Sequence, residues 1–378
     1  MRIALLISAA FIAAVSIPSA AQSLDRALPA RDDAVLVRDY KIPYPRPLHD
    51  SQDTLSVFLI GDVIMHESLF PRDHREFFKN IASPMREADI AIANMEMTFA
   101  GKPYSGYPAF SAPEYIATYM ADEVGVDVFL TANNHITDKG CQGLLRTMEF
   151  YDGLKDSLGI KLTGVARNER ELLDTYPLIL ERKGFKIALI NCTYGTNNSL
   201  GKEWPRINRL KKDEMHGAFK RAREAGADFI VALPHWGEEY HLKHSGEQEE
   251  MARWMVEEGA DVIVGGHPHV VQDTTHIGGV PVIYSMGNAI SNQAFPNTRI
   301  ELAVTLRFVN DRVSGTRTML EPEIRFMWCT IHDMLVESYA TIFVKEWADR
   351  RGDWLTPSDF DNMLETYRRV KDATGIED

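Results

Sequence analysis

Asp261-Val262-Ile263-Val264-Gly265-Gly266-His267-Pro268-His269 is the stretch that decides how this chain is read. An apolar run too short for a helix is closed by two glycines and two imidazoles. Such a run, bounded by turn residues, is a buried strand. Side chains placed just beyond the ends of successive strands converge on one crevice in α/β folds. Six further runs have the same layout, at Leu55 to Ile60, Asp89 to Ala93, Val126 to Thr131, Phe185 to Asn191, Asp228 to Leu233 and Val280 to Ser285.

Between these runs lie helical patterns at Pro113 to Val124, Gly143 to Leu158, Leu210 to Ala225 and Gly246 to Glu258. Strands alternating with helices predict an α/β fold with most of the sheet buried. Pro177 to Glu181 is expected to pair with Phe185 to Asn191 across the turn Arg182-Lys183-Gly184. Beyond Asn288 the pattern predicts antiparallel strands Arg299 to Val309 and Val313 to Leu320, joined at Asn310-Asp311, then a strand at Glu323 to Cys329. Two helices follow, near Val336 to Arg350 and Pro357 to Asp372, the second capped at Thr356-Pro357.

These patterns divide the 378 residues into a leader (1–21), an extended proline-bearing arm (22–53), a single large domain (54–330) and a C-terminal helical extension (331–378). In the leader, Arg2 precedes the apolar run Ile3 to Ile17, then Pro18 and the small residues Ser19 and Ala21. That is the layout of an export signal cleaved after Ala21, with an uncleaved membrane anchor as the alternative. The protein is thus expected outside the cytoplasm. Cys141, Cys192 and Cys329 match no zinc or disulfide framework and are read as free thiols. The net charge of −13 disfavours nucleic acid and anionic lipid as partners and leaves small or polymeric solutes.

The strand ends carry the chemistry. Gly61-Asp62 follows the first strand, with Asp62 a hard anionic ligand. Asn94-Met95-Glu96 follows the second, and the two-residue alternation puts Asn94 and Glu96 on one face. Asn133-Asn134-His135 follows the third: Asn134 offers a neutral oxygen and His135 is a proton donor for a leaving group. Asp138 either orients that imidazole or caps the helix near Cys141. His235, His267 and His269 add neutral imidazoles, which suit Zn²⁺, Mn²⁺ or Fe ions. Ser285 and Asn288 are expected to support the ligands by hydrogen bonds or simply to shape a turn. His66, Glu239 and Tyr240 are candidates for the pocket wall. The basic segment with Arg206 and Arg209 is either a solvated face or a receiver of anionic substrate.

Read in order, Asn133-Asn134-His135, His235-Trp236-Gly237-Glu238-Glu239-Tyr240, Gly266-His267-Pro268-His269 and Tyr284-Ser285-Met286-Gly287-Asn288 resemble the capsule protein A family of poly-γ-glutamate biosynthesis. That family belongs with the calcineurin-like metallophosphoesterases, and the likeness spans Leu55 to Asn292. It implies a four-layer α/β/β/α sandwich with mixed sheets and one or two divalent ions. Asp62 and His269 would hold one ion and Asn134, His235 and His267 the other, with Glu96 bridging and His135 as general acid. The superfamily's histidine two residues after the first aspartate is replaced here by Ile64, and His66 is the nearest substitute. The resemblance implies hydrolysis of a phosphoester or of a γ-glutamyl amide in an anionic substrate, within an envelope-polymer assembly. A polymer-binding or export component without turnover is the alternative.

Overall fold

The computed structural model describes residues 52–378. The expected leader and the arm as far as residue 51 lie outside the described residues. In chain order the first strands are β1 (Gln52–Val63), β2 (Ile90–Met95), β3 (Val128–Leu130), β4 (Lys161–Thr163), β5 (Val165–Ala166) and β6 (Leu178–Arg182). Next come β7 (Phe185–Thr193), β8 (Arg206–Ile207), β9 (Phe229–His235), β10 (Val262–Val264), β11 (Thr274–Ile277) and β12 (Val280–Ile283). The last are β13 (Asn288–Ile290), β14 (Ile300–Asp311), β15 (Arg317–Met319), β16 (Glu323–Thr330) and β17 (Ala340–Phe343). The α-helices are α1 (Ala82–Glu87), α2 (Tyr115–Tyr119), α3 (Gly140–Leu158), α4 (Glu169–Thr175), α5 (Lys212–Glu224), α6 (Gly246–Glu257), α7 (Val344–Trp347) and α8 (Pro357–Thr374).

Two mixed sheets dominate. The larger runs β17-β16-β14-β1-β2-β3-β4, with β13 and β15 paired to β1 and β14. The smaller runs β11-β12-β10-β9-β7-β6. Period-two alternation splits each strand between two apolar layers. Leu55, Val57 and Leu59 of β1 meet Ile187 and Leu189 of β7 and Val231 and Leu233 of β9 between the sheets. The intervening Phe58 and Ile60 share a layer with Ile116, Leu144 and Met148 of the helices on the outer face. Ala188 and Ile190 of β7 share another with Met215, Phe219, Ala252 and Met255 of α5 and α6. The result is the α/β/β/α sandwich. Because both faces of each sheet are covered, the strands read as continuous apolar runs, and each buried Leu or Phe contributes roughly 1.5–3 kcal/mol.

All seven expected strands and the four early helices form. The hairpin β6–β7 closes through Lys183 (φ 48°) and Gly184 (φ 78°), left-handed positions that match the strands' twist.

The C-terminal third differs from expectation in two places. The turn after β14 lies beyond Asn310-Asp311: β14 runs through Asp311, whose carboxylate accepts from the N–H groups of Val313 and Ser314, and β15 is only three residues long. The helix expected near Val336 to Arg350 is instead strand β17 followed by the single turn α7. There, Thr341-Ile342-Phe343 favours extended backbone, and β17 pairs with β16 and buries its side chains on both faces of the sheet. The extension therefore carries an edge strand as well as helix. α8 packs Phe360, Met363 and Val370 into the layer between the sheets. Pro357 opens α8 as expected, but the Thr356 hydroxyl donates to the Asp333 carbonyl rather than capping the helix.

Cys192 and Cys329 are buried free thiols, and Cys141 is a half-buried one. Among the described residues, no helix is long and apolar enough to cross a membrane.

Candidate metal centre

The carboxyl ends of strands from both sheets meet at one place. Asp62 is the penultimate residue of β1, and there the preceding Gly61 lies so close to Gly287 that a Cβ would sit 2.0 Å from the Gly287 carbonyl oxygen. The Asp62 N–H donates to that same carbonyl at 3.0 Å. One Asp62 oxygen accepts from the Asn94 amide at 2.6 Å and the other from the His267 N–H at 2.9 Å. Gly266 allows the second contact, because a Cβ there would stand 2.9 Å from the Asp62 carboxylate.

Glu96 sits one residue beyond β2, held by its N–H to the Val63 carbonyl, and so shares the face of Asn94. It is fully buried, and neither carboxylate oxygen has a hydrogen-bond partner. His235 Nε2 is 3.5 Å from it, and His135 Nε2 and His269 Nδ1 are each 4.0 Å away. Beyond β3, the Asn134 side-chain oxygen lies 2.9 Å from His235 Nε2. His267 is buried with its Nδ1 unpartnered, and His269 Nδ1 contacts the Asn288 side-chain oxygen at 2.9 Å. His267 (φ 100°) and His269 (φ 59°) both adopt left-handed backbone, a conformation that costs a non-glycine residue roughly 1–2 kcal/mol.

Asp62, Glu96, Asn134, His235, His267 and His269 are thus brought together. Ligand atoms of Glu96, His235 and His267 lie within 4.8 Å of one another, as do those of Asp62, Glu96 and His269. Burial pushes the Glu96 carboxyl upward, but His269, His235 and His135 outweigh it and hold it well below the usual range. Burial and the neighbouring Glu96 charge push Asp62 the other way. Burial also drives His267 well below its ordinary value, which keeps it neutral and able to bind a metal. Orphaned carboxylate oxygens, an orphaned imidazole nitrogen and a donor set of nitrogen and oxygen fit a divalent ion of the Mn, Fe or Zn type.

His135 lies at the edge of this cluster. Its Nδ1–H donates to Asp138 at 2.7 Å, and Asp138 also accepts from the Phe110 N–H and the Asn197 amide. Asp138 therefore orients the imidazole, and no side chain caps α3. Burial lowers the His135 pKa, yet Asp138 and Glu96 reverse this and raise it overall.

The remaining candidates divide. Asn94 bonds Asp62, and Asn288 orients His269. Ser285 is turned away and ties Val270 to the Gly287 turn. His66 accepts from the Asn292 N–H through Nδ1 and stacks edge-on against Phe110, and burial pushes its pKa down to about 4. It stands beside the cluster without joining it. Ile64 is buried in the apolar layer under the helices. Tyr240 is half exposed with its ring 5.9 Å from that of His269, and Glu239 is exposed beside it.

Arg206 and Arg209 both pair with Glu214, so much of their charge is already engaged. They line a cavity of about 440 Å³ that starts at Thr193, the register partner of His235, and includes Lys202.

Sequence reasoning missed Asn197, Tyr194 and Glu301. Asn197 N–H donates to the Asn134 carbonyl, and the Tyr194 ring lies 4.6 Å from that of His267. Both follow β7, so the strand-end rule applied to Tyr194-Gly195-Thr196-Asn197 would have found them. Glu301, which accepts from the Gly61 N–H at 2.7 Å, lies at the start of the antiparallel strand β14, not beyond a strand's carboxyl end, and gives no such signal.

Residues 56–293 match the model of the bacterial capsule synthesis protein PGA_cap, and the chain belongs to that family. It is 26% identical over 266 residues to the capsule biosynthesis protein CapA of Bacillus anthracis, covering 66% of this chain and 63% of that protein. It is also 26% identical over 270 residues to the PGA biosynthesis protein CapA of Bacillus subtilis strain 168, covering 68% and 69%. Among solved structures, it is similar to a phosphatase from Mycoplasma pneumoniae, with a TM-score of 0.41 and 13% identity over 73% of this chain and 94% of that one.

Proposed function

We propose that this chain is an exported, metal-dependent hydrolase of capsule-polymer metabolism, acting on a phosphoester or on a γ-glutamyl amide of poly-γ-glutamate. The observation that carries this reading is Glu96: a fully buried carboxylate with both oxygens unpartnered at the meeting of three imidazoles and Asp62. Burying polar oxygens that accept no hydrogen bond is costly, and a cation bound by them removes that cost. Export rests on the apolar run Ile3 to Ile17 and the small residues before Gln22.

Asp62, Glu96, Asn134, His235, His267 and His269 would hold the metal. When bound, it supplies Lewis acidity, polarising a phosphoryl or carbonyl oxygen and making water a competent nucleophile near neutral pH. The protein's own groups do the rest. Asp138 accepts from His135 Nδ1 and so leaves Nε2 directed at the cluster, 4.0 Å from Glu96. On this reading Nε2 protonates the leaving group, and the raised pKa keeps that proton available. The apolar layers behind Glu96 exclude water from that side.

The test is hydrolysis of a phosphomonoester, a phosphodiester and γ-glutamyl oligomers, with and without chelator. The expected result is chelator-sensitive turnover that falls roughly 10²–10⁴-fold in His135→Asn. A polymer-binding component without turnover, the reading favoured by Ile64 and by the engagement of His66 with Asn292, wins if His235→Ala binds polymer like the parent and no substrate is cleaved.

A further inference from the structure

The loop after His235 carries a carboxylate that the six-ligand reading leaves unused. Glu239, His267 and His269 form a third group whose ligand atoms lie within 4.8 Å of one another. Glu96 belongs to both other groups, one containing His267 and the other His269. Glu239 spans the same two histidines. Glu96 is fully buried and Glu239 is exposed, so the two carboxylates approach from the core and from the mouth.

The loop is fixed to the histidine-bearing turn at two points. Trp236 N–H donates to the Gly266 carbonyl at 3.0 Å, and Tyr240 N–H donates to the Pro268 carbonyl at 2.8 Å. Glu239 is held between these tethers, and Tyr240 takes left-handed backbone (φ 67°) next to it. Among the described residues no lysine or arginine forms an ion pair with Glu239, whereas the adjacent Glu238 lies 3.8 Å from His241.

Coordination chemistry supplies the reason for such a group. Asp62, Glu96 and His269 give three protein donors, which leaves coordination positions that water or a further side chain can fill. Ile64 has no donor atom, and His66 is engaged with Asn292.

We propose that Glu239 is a further metal ligand, which would hold from the solvent side the metal bound at His267 and His269. The assignment rests on the metal-centre reading above. Its test is Mn²⁺ binding by the purified protein, followed by calorimetry and by electron paramagnetic resonance. The parent protein is expected to take up two equivalents, and Glu239→Gln to bind at least one of them about tenfold more weakly with an altered spectrum. Glu239→Asp, which keeps the carboxylate, is expected to recover part of that affinity, and Glu238→Gln to match the parent. Equal affinity, stoichiometry and spectrum for Glu239→Gln and the parent overturn the ligand assignment alone. A parent protein that binds no Mn²⁺, Zn²⁺ or Fe²⁺ overturns the metal-centre reading with it.

Discussion

Two buried carboxylates in this protein have opposite surroundings. The Asp359 carboxylate of α8 accepts from both terminal guanidinium nitrogens of Arg299 at 2.6 Å. That guanidinium also donates to the Cys329 carbonyl and lies over the Trp328 ring at 4.3 Å. Glu96 is equally buried and has no hydrogen-bond partner. The first set is complete and holds the C-terminal helix to the sheets. The second is incomplete, which marks a place prepared for something the polypeptide does not supply. Glu301 lies between them, with one oxygen bound to the Gly61 N–H and the other orphaned.

This contrast can be broken at its complete end first. Asp359→Ala leaves the Arg299 charge buried and unpaired and is expected to destabilise the fold by about 3–5 kcal/mol in urea unfolding, while Mn²⁺ affinity is unchanged. A loss below 1 kcal/mol would remove the structural reading of that pair.

At the incomplete end, Glu96→Gln is expected to weaken metal binding at least ~100-fold. Metal at a hundred times its Kd stabilises the parent by about 2.7 kcal/mol, so chelator should lower the parent's melting temperature and leave that of Glu96→Gln unmoved. Equal chelator sensitivity in both would show that the ion, if bound, sits elsewhere.

Glu301 sharpens the comparison through pH. Burial raises its pKa well above the ordinary 4.5, with the nearby Asp62 adding to the effect. Between 4.5 and the raised value the folded state holds a proton that the unfolded state has released, so stability is full below 4.5 and falls as pH rises. The expected slope is about 1.4 kcal/mol per pH unit in that window, and Glu301→Gln should flatten it. Parallel pH profiles for the two proteins would refute a protonated Glu301.

Much of this arrangement was legible beforehand because strands and ligands share one local signal. The apolar run Val262 to Val264 and the Gly266-His267-Pro268-His269 turn follow each other within eight residues, so a reader sees both the strand and what it carries. Asn94 and Glu96 were placed on one face by the strand period alone. Where the signal was not local, reading failed. Val336 to Arg350 contains good helix formers, but β17 forms there because the edge of β16 offers unpaired hydrogen-bonding groups and the surrounding layers accept Ile342 and Phe343. Arg206 and Arg209 look like a free basic surface until Glu214 of α5 is seen between them.

Composition, strand period and strand-end residues by themselves determined the α/β class, the alternation of elements and the identity of the six side chains that meet. Tertiary structure alone decided that Asp138 serves His135 instead of capping α3, that His66 is engaged elsewhere, and that Glu301 supports Gly61 from 240 residues away. The physical reason is range: backbone periodicity and turn chemistry act over a few neighbouring residues, whereas the partner of a buried polar group is set by which layers pack against it.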